Sequence, residues 1–261
     1  MMIKASKREL GLLRSLRTRK VRRETGLFLV EGLRLCSDLA DAGLPIEWVV
    51  VDSSRVADPR VAPLLERFTE VGVAVTSAPD YEIQRVSDTV HSQGVVAAAH
   101  WADVSLENLC LAPRAVLLAL DRVSDPGNVG TVIRTAAWFG ASAVLLGENC
   151  ADLLNPKTVR ATMGGLFHLP VIRNVHLPAA IKALKEESFT VNVASADGAN
   201  DWASWTEKQR ALLVLGNEAE GVGRDVRVLA DRILAIPKHG KGESLNVAVS
   251  AGIFLSAISS A

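Results

Sequence analysis

The chain contains 261 residues, of which 49% are hydrophobic and 22% are charged, and its formal net charge at pH 7 is zero. Such a length and composition indicate a globular protein with one large domain or two modest ones. The three cysteines lack CxxC spacing and the five histidines lack metal-ligand spacing, which argues against a disulfide framework or a metal site. The charged N-terminus lacks the apolar core of a signal peptide, and the apolar segment Leu245–Ile258 is shorter than the ~20 residues of a membrane span. We therefore expect a cytoplasmic protein without a metal and without a membrane partner.

Helix and strand signals alternate along the N-terminal part of the chain. Leu10, Leu13 and Leu16 recur at helical spacing, and short apolar runs bounded by turn residues follow them. The predicted elements, in chain order, are the helix Lys7–Arg17, the strand Gly26–Val30, the helix Glu31–Ala42, the strand Ile46–Val51, the helix Pro59–Val71, the strand Val73–Thr76, the helix Tyr81–Val86 and the strand Gly94–His100. This alternation predicts a small α/β sandwich.

Positive charge is concentrated at the start of the chain. Residues 1–23 contain nine lysines and arginines against one acid, so this segment carries a charge of +8 and the rest of the chain carries −8. Such a concentration is typical of a surface that contacts a phosphate backbone, although a solvated helix face is the alternative. The residues that we expect to bind RNA are Arg17, Arg19, Lys20, Arg22 and Arg23.

A second alternation begins at Arg114, so we predict an N-terminal domain over residues 1–105, a linker over 106–113 and a second domain over 114–261. Its predicted elements are the strand Ala115–Leu120, the helix Asn128–Phe139, the strand Ala143–Leu146, the helix Pro156–Thr162, the strand Val171–Ile172, the helix Pro178–Glu187, the strands Phe189–Ala194, Ala211–Leu215 and Arg232–Ile236, and a terminal helix that Glu243 and Ser244 open. The pattern predicts a mostly parallel sheet with helices on both faces. Ligands bind such sheets outside the carboxyl ends of the strands.

The first of three glycine-containing turns follows the first strand of this second domain. Asn128 is expected to cap a helix that Gly140 ends, while Arg134 and Trp138 lie off the apolar stripe of that helix. This face needs a covering partner, such as another domain, a second subunit or RNA. The alternative is that Arg134 only stacks on Trp138 at the surface.

The second and third turns also follow predicted strands. In the second, Asn217 and Glu218 come directly after the strand Ala211–Leu215. The third carries Gly240 and Gly242 ahead of an apolar terminal helix, so backbone amides can face a small ligand there. The chain lacks a Walker A loop, a GxGxxG fingerprint after the first strand of either half, and a GxSxG turn. These absences disfavour a nicotinamide-dependent enzyme and an α/β-hydrolase.

Together and in this order, the three turns resemble the motifs of the SpoU/TrmH family, which belongs to the SPOUT class of methyltransferases. The matching residues are Asn128, Gly130, Arg134, Thr135, Ala136 and Gly140 in the first motif, Gly216, Glu218 and Gly221 in the second, and Ile236, Pro237, Gly240, Ser244, Leu245, Asn246 and Val247 in the third. The N-terminal part is similar to the L30e-like substrate-binding domain of many members. Lys238 and His239 depart from the family, in which methionine commonly follows Ile-Pro, and Trp138 is bulkier than usual.

The resemblance implies a methyltransferase that uses S-adenosylmethionine, modifies a ribose 2′-hydroxyl of RNA, forms a homodimer and contains a deep C-terminal trefoil knot. By position, it implies cofactor contacts from Leu215, Gly216, Asn217, Glu218, Gly221, Ile236, Pro237, Gly240, Ser244, Leu245 and Asn246. It assigns catalysis to Arg134, Asn128, Glu218 and Asn246. Because a guanidinium stays protonated at neutral pH, binding a phosphate or stabilising the developing alkoxide suits Arg134 better than accepting a proton.

We therefore expect methyl transfer to structured RNA, with 23S ribosomal RNA favoured over transfer RNA. The same reaction on transfer RNA is one alternative. A non-catalytic RNA-binding or ribosome-assembly protein with a vestigial pocket is another. The sequence does not specify the target nucleotide.

Overall fold

The structure is a computed structural model that describes residues 2–89, 92–199 and 210–259. It divides into two compact units: Met1–Ala102 with Leu154–Phe167, and Asp103–Leu153 with His168–Ala261. The sequence predicts two contiguous domains, whereas the structure assigns Leu154–Phe167 to the first unit. Arg160, in this segment, pairs with Glu31 and Asp88 at N–O distances of 2.8 and 2.9 Å. Ion pairs between residues this far apart in the chain leave no signal in the sequence pattern.

The first unit is an α/β sandwich around a four-stranded sheet. Its elements are α1 Lys7–Ser15, α2 Arg19–Thr25, β1 Leu27–Glu31, α3 Leu33–Asp41, β2 Ile46–Asp52, α4 Ala62–Glu70, β3 Val75–Ala78, α5 Asp80–Val86, β4 Val95–His100 and, from the later segment, α7 Pro156–Ala161. The strand order is β1-β4-β2-β3, and only the β2–β3 pair is parallel. The helix α2 was not predicted, because Val21 is its only apolar residue and no amphipathic stripe marks it.

The core of the first unit explains its sequence pattern. Leu13 and Leu16 at the end of α1 are fully buried in one cluster with Leu29 of β1 and Val50 of β2. Every residue of β1 is buried, although β1 is an edge strand of the sheet. The predicted alternation of helices and strands in this unit is confirmed.

The second unit is built on a sheet in which all pairings between the described strands are parallel. Its elements are β5 Val116–Asp121, α6 Pro126–Trp138, β6 Ala143–Gly147, β7 Val171–Val175, α8 Leu177–Glu186, β8 Thr190–Ala199, β9 Ala211–Gly216, α9 Arg224–Arg227, β10 Arg232–Leu234 and α10 Val247–Ser259. The strand order is β10-β8-β9-β5-β6-β7. The predicted mostly parallel α/β sheet is therefore confirmed, while the trefoil knot stays a prediction. In the described ranges, no helix is long and apolar enough to cross a membrane.

Among the predicted helix starts that the structure corrects, two lie beside the site. Helix α6 begins at Pro126, and its cap is Asp125, whose carboxylate accepts the Asn128 backbone N–H at 2.9 Å. Helix α10 begins at Val247 and not at Glu243, because the Asn246 side chain accepts the N–H of Ala248 at 2.9 Å and ends the loop there. The extra loop residues become available to line a cavity.

Candidate active site

A cavity of about 570 Å³ lies beside the carboxyl ends of β9 and β10 in the second unit. Its volume falls in the range of small-molecule and cofactor pockets. Ten of the eleven predicted cofactor-binding residues line it: Leu215, Gly216, Asn217, Glu218, Gly221, Ile236, Pro237, Gly240, Ser244 and Leu245. The eleventh, Asn246, does not line the cavity. The second and third motifs therefore converge on one concave site, as the strand-end rule predicts.

The chemistry of this lining suits S-adenosylmethionine. Leu215, Ile236, Leu245 and Phe254 supply apolar surface for an adenine ring, and Glu218 adds a carboxylate. Glycine-containing loops bring backbone amides and carbonyls to the wall, where they can pair with the polar edge of a base.

Gly216 lets two stretches of backbone cross at the cavity wall. It pairs with Asp121 in the sheet register and ends β9. A Cβ atom at this position would lie 2.2 Å from the carbonyl carbon of Gly221 and 2.3 Å from the backbone nitrogen of Val222. Since both neighbours are backbone atoms, no side-chain rotation relieves the overlap, and this position requires glycine.

The loop Asn217–Gly223 folds back on itself through the side chain of Asn217. The Asn217 Oδ1 atom accepts the backbone N–H groups of Ala219 and Glu220 at 2.9 and 3.2 Å. The backbone N–H of Gly221 donates to the carbonyl of Asn217 at 2.8 Å. Asparagine is therefore used here to close a tight turn, which accounts for its place next to Gly216.

A chain of hydrogen bonds joins the three motifs. Asn128 Nδ2 donates to Glu218 Oε1 at 2.5 Å, and Asn246 Nδ2 donates to Asn128 Oδ1 at 2.9 Å. The partners are 90 and 118 residues apart along the chain. Asn128 thus links the first motif to the second and third, although it does not line the cavity itself.

Arg134 is set apart from this cluster in the single chain. Its side chain is exposed on α6, makes no hydrogen bond or ion pair with any described residue, and is not part of the cavity lining. Trp138, one turn further along α6, is 84% exposed. No stacking of Arg134 on Trp138 is found among the described residues. The alternative in which Arg134 only stacks on Trp138 at the surface therefore lacks support.

One wall of the cavity was missed by sequence reasoning. Residues 194–196 line the cavity and belong to an irregular stretch of β8. Ile233 and Leu234 are consecutive in β10, but they pair with Val193 and Ala199, so residues 194–198 of β8 are left out of the ladder. The predicted strand ends at Ala194, where its apolar run stops. No sequence signal marks the continuation, because the stretch bends out of the regular ladder.

An arginine holds this irregular stretch in place. Arg227 donates to Ser195 Oγ at 3.0 Å and to both carboxylate oxygens of Asp197 at 2.8 and 3.0 Å. The hydrogen bond from Ser195, followed by those from Arg227, keeps the pKa of Asp197 below its usual value. The carboxylate therefore remains charged and paired at neutral pH.

Four of the five predicted RNA-binding residues lie on the surface of the first unit: Arg17, Arg19, Lys20 and Arg23. Arg22 is only 4% exposed, and its Nη1 atom donates to the carbonyls of Leu16 and Arg17 at 2.6 and 2.9 Å. These carbonyls follow the last turn of α1, where a basic side chain satisfies groups that lack helical partners. Arg22 is therefore a structural residue and not a surface contact.

Across residues 2–89, 92–199 and 210–259, no cluster of three or more His, Cys, Asp or Glu side chains could hold a metal ion.

Cys150 donates its thiol to the Leu120 carbonyl at 3.1 Å, and burial raises its pKa to about 11. Its thiol is therefore protonated at neutral pH and is no nucleophile.

Comparisons with known proteins agree with this geometry. The sequence profile of the SpoU rRNA methylase family matches residues 115–256, and that of the MRM3-like substrate binding domain matches residues 9–97. The chain is 33% identical over 243 residues to the 23S rRNA (guanosine(2553)-2′-O)-methyltransferase RlmP of Bacillus subtilis, covering 93% of this chain and 92% of RlmP.

Two solved structures resemble the chain over nearly its whole length. The SpoU methyltransferase AviRb from Streptomyces viridochromogenes, in complex with the cofactor AdoMet, is 25% identical with a TM-score of 0.87, over 98% of each chain. An AdoMet-bound rRNA methyltransferase from Sinorhizobium meliloti is 29% identical with a TM-score of 0.84, over 98% of this chain and 95% of that one.

Proposed function

The chain belongs to the SpoU rRNA methylase family and is an RNA ribose 2′-O-methyltransferase that uses S-adenosylmethionine, and we propose that its substrate is 23S ribosomal RNA. The hydrogen-bond chain from Glu218 through Asn128 to Asn246 supports a working methyltransferase site, because it joins three distant motifs beside the cavity. The similarity to RlmP over almost the whole chain favours ribosomal RNA over transfer RNA.

We propose separate roles for the cavity and for α6. Bound S-adenosylmethionine supplies an activated methyl group on its sulfonium. The loops of the second and third motifs hold it, and Glu218 and Asn246 keep those loops together through Asn128. Arg134 would bind an RNA phosphate and stabilise the 2′-oxygen, because a protonated guanidinium favours developing negative charge. With the cofactor bound, the oxygen would take the methyl group from sulfur, its proton would pass to solvent water, and S-adenosylhomocysteine would leave.

We further propose a homodimer in which α6 and α10 meet the partner. These helices pack on each other, and they expose Trp138 and Val249 at 84% and 51%. Exposed apolar side chains on neighbouring helices are typical of an interaction surface. A second copy would also give Arg134 the neighbours that it lacks among the described residues of its own chain. Light scattering should give a molar mass twice that of one chain, and the Trp138→Glu variant should give a lower molar mass.

The first unit is proposed to bind RNA through the exposed residues of its basic segment, Arg17, Arg19, Lys20 and Arg23. Such contacts act on phosphates and are therefore sensitive to salt. Because ribosomal RNA is the proposed substrate, we place the protein in the cytoplasm.

Methyl incorporation tests the substrate. Total RNA from cells lacking the gene is incubated with the protein and methyl-labelled S-adenosylmethionine, and labelled species are separated by size. We expect label in 23S RNA, resistant to alkali at the modified ribose, and none with Arg134→Ala. Label confined to transfer RNA would overturn the choice of substrate, and absence of label from every RNA would overturn the catalytic assignment.

A further inference from the structure

Two residues at the carboxyl end of β5 hold the loop Asn217–Gly223 at three points. The side-chain amide of Asn217 donates to the backbone carbonyl of Arg122 at 3.0 Å. The guanidinium of Arg122 donates to the carboxylate of Glu220 at 2.8 Å. The backbone N–H of Gly223 donates to Asp121 Oδ2 at 2.7 Å. The start, the middle and the end of the loop are therefore attached to one dipeptide.

Arg122 makes these contacts from an unusual backbone conformation. Its φ angle is +57°, in the left-handed region that non-glycine residues rarely adopt. Such a conformation is strained and persists where surrounding contacts require it, often at functional sites. Here the carbonyl and the side chain of the same residue both reach the loop.

Asp121 completes the attachment from a buried position. The residue is 7% exposed, and its carboxylate accepts the Arg122 guanidinium at 3.3 and 3.4 Å besides the Gly223 N–H. Hydrogen bonding and charge attraction from Asp121 raise the pKa of Arg122 above its usual value. The guanidinium therefore lies between two carboxylates, Asp121 on the sheet and Glu220 on the loop.

The attached loop is the one that forms the cavity wall. Residues 217–221 line the cavity, and Glu218 in their midst accepts the hydrogen bond from Asn128 at 2.5 Å. If the loop moves, both the wall and the acceptor of that hydrogen bond move with it. A preformed wall matters for affinity because ordering a loop at the moment of binding weakens the complex.

We propose that Arg122 is a positioning residue that holds this loop in its cofactor-binding conformation. Its guanidinium holds Glu220 in the middle of the loop and its carbonyl holds Asn217 at the start, while Asp121 holds Gly223 at the end. The inference rests on the assignment of the cavity to S-adenosylmethionine. No motif marked Arg122, since its contacts depend on the fold bringing β5 and β9 side by side.

The test compares Arg122→Gln with Arg173→Gln by calorimetry with S-adenosylmethionine and by steady-state methylation. Arg173 is a matched control, because it pairs through two nitrogens with Asp103 at 2.7 Å in the same unit and lines no part of the cavity. We expect Arg122→Gln to raise the Kd and the KM for S-adenosylmethionine about fivefold or more, with the KM for RNA unchanged. Arg122→Lys, which keeps a charged donor for Glu220, should recover at least half of the loss on a logarithmic scale.

The pair itself is tested by a double-mutant cycle with Glu220→Gln. Because both changes break the same contact, the double variant should bind no more weakly than Arg122→Gln alone. Cofactor affinity of Arg122→Gln equal to that of Arg173→Gln, or effects that multiply in the double variant, would overturn the inference. Wild-type protein that bound no S-adenosylmethionine would instead overturn the assigned function.

Discussion

Replacing Gly216 with alanine should damage the cofactor site severely, because the added methyl group would overlap with backbone. The new carbon would lie 2.2 and 2.3 Å from backbone atoms of Gly221 and Val222, whereas non-bonded carbons approach to about 3.5–4.0 Å. The loop backbone must withdraw by roughly 1 Å or more. Overpacking of this kind costs about 1–3 kcal/mol. Loss of the Gly221 hydrogen bond to Asn217 adds about 1 kcal/mol.

We expect the free energy of cofactor binding to become less favourable by a total of about 2–4 kcal/mol, because the loop can move without unfolding the sheet. The lower value corresponds to a Kd for S-adenosylmethionine raised about 30-fold, measured by calorimetry. Gly252→Ala is the control: its methyl would contact Thr135 Cγ2 at an ordinary 3.7 Å, and alanine suits helix α10 better. If Gly216→Ala binds the cofactor within twofold of Gly252→Ala, the reasoning from the backbone crossing is refuted.

Three further predictions concern charged residues. Arg134→Ala should abolish methyl transfer and change the cofactor Kd less than twofold, because Arg134 does not line the cavity; near-normal turnover would remove it from the chemistry. Arg22→Ala should lower the stability of the first unit by about 2–3 kcal/mol in thermal unfolding, because the two carbonyls that Arg22 contacts lose their donor. Arg23→Ala should change the stability by less than about 0.5 kcal/mol and should reduce the salt dependence of RNA binding. The reverse pattern would contradict the roles assigned to Arg22 and Arg23. Since the pKa of Asp197 is lowered on folding, its contribution to stability is present above the unfolded value of about 3.9 and is lost as pH falls through the folded value. Carbon-13 NMR titration should show that Arg227→Gln raises the Asp197 midpoint, and an unchanged midpoint would argue against that contact.

Much of the fold follows from local pattern. Apolar runs such as Ala143–Gly147 are buried on both faces of a parallel sheet, so they read as strands without knowledge of their partners. The part of the cavity formed by the second and third motifs was also predictable, because glycine-rich turns at strand ends are where ligands bind such sheets and because the motifs resemble a known family. The resemblance supplied the identity of the cofactor, which periodicity alone does not carry.

What the sequence did not predict depends on individual side-chain contacts that the pattern of apolar residues does not show. Arg22 looks like any other residue of a basic run until the fold turns it onto the end of α1. The helix start at Val247 follows from the side chain of Asn246, which competes with helix continuation by bonding to backbone N–H groups ahead of it. The segment Leu154–Phe167 joins the first unit through ion pairs to Glu31 and Asp88, which lie more than 70 residues away.

The proposed roles separate holding the cofactor from acting on the RNA. Removal of Asn128 leaves Glu218 without its donor and Asn246 without its acceptor, so a loss in the first motif loosens loops of the other two. Arg134 belongs to the first motif as well, yet it makes none of these contacts. A chain that lost only Arg134 would therefore keep its pocket and its cofactor while losing turnover. The non-catalytic alternative predicts such a protein, whereas this chain keeps both Arg134 and the network of hydrogen bonds among the three motifs.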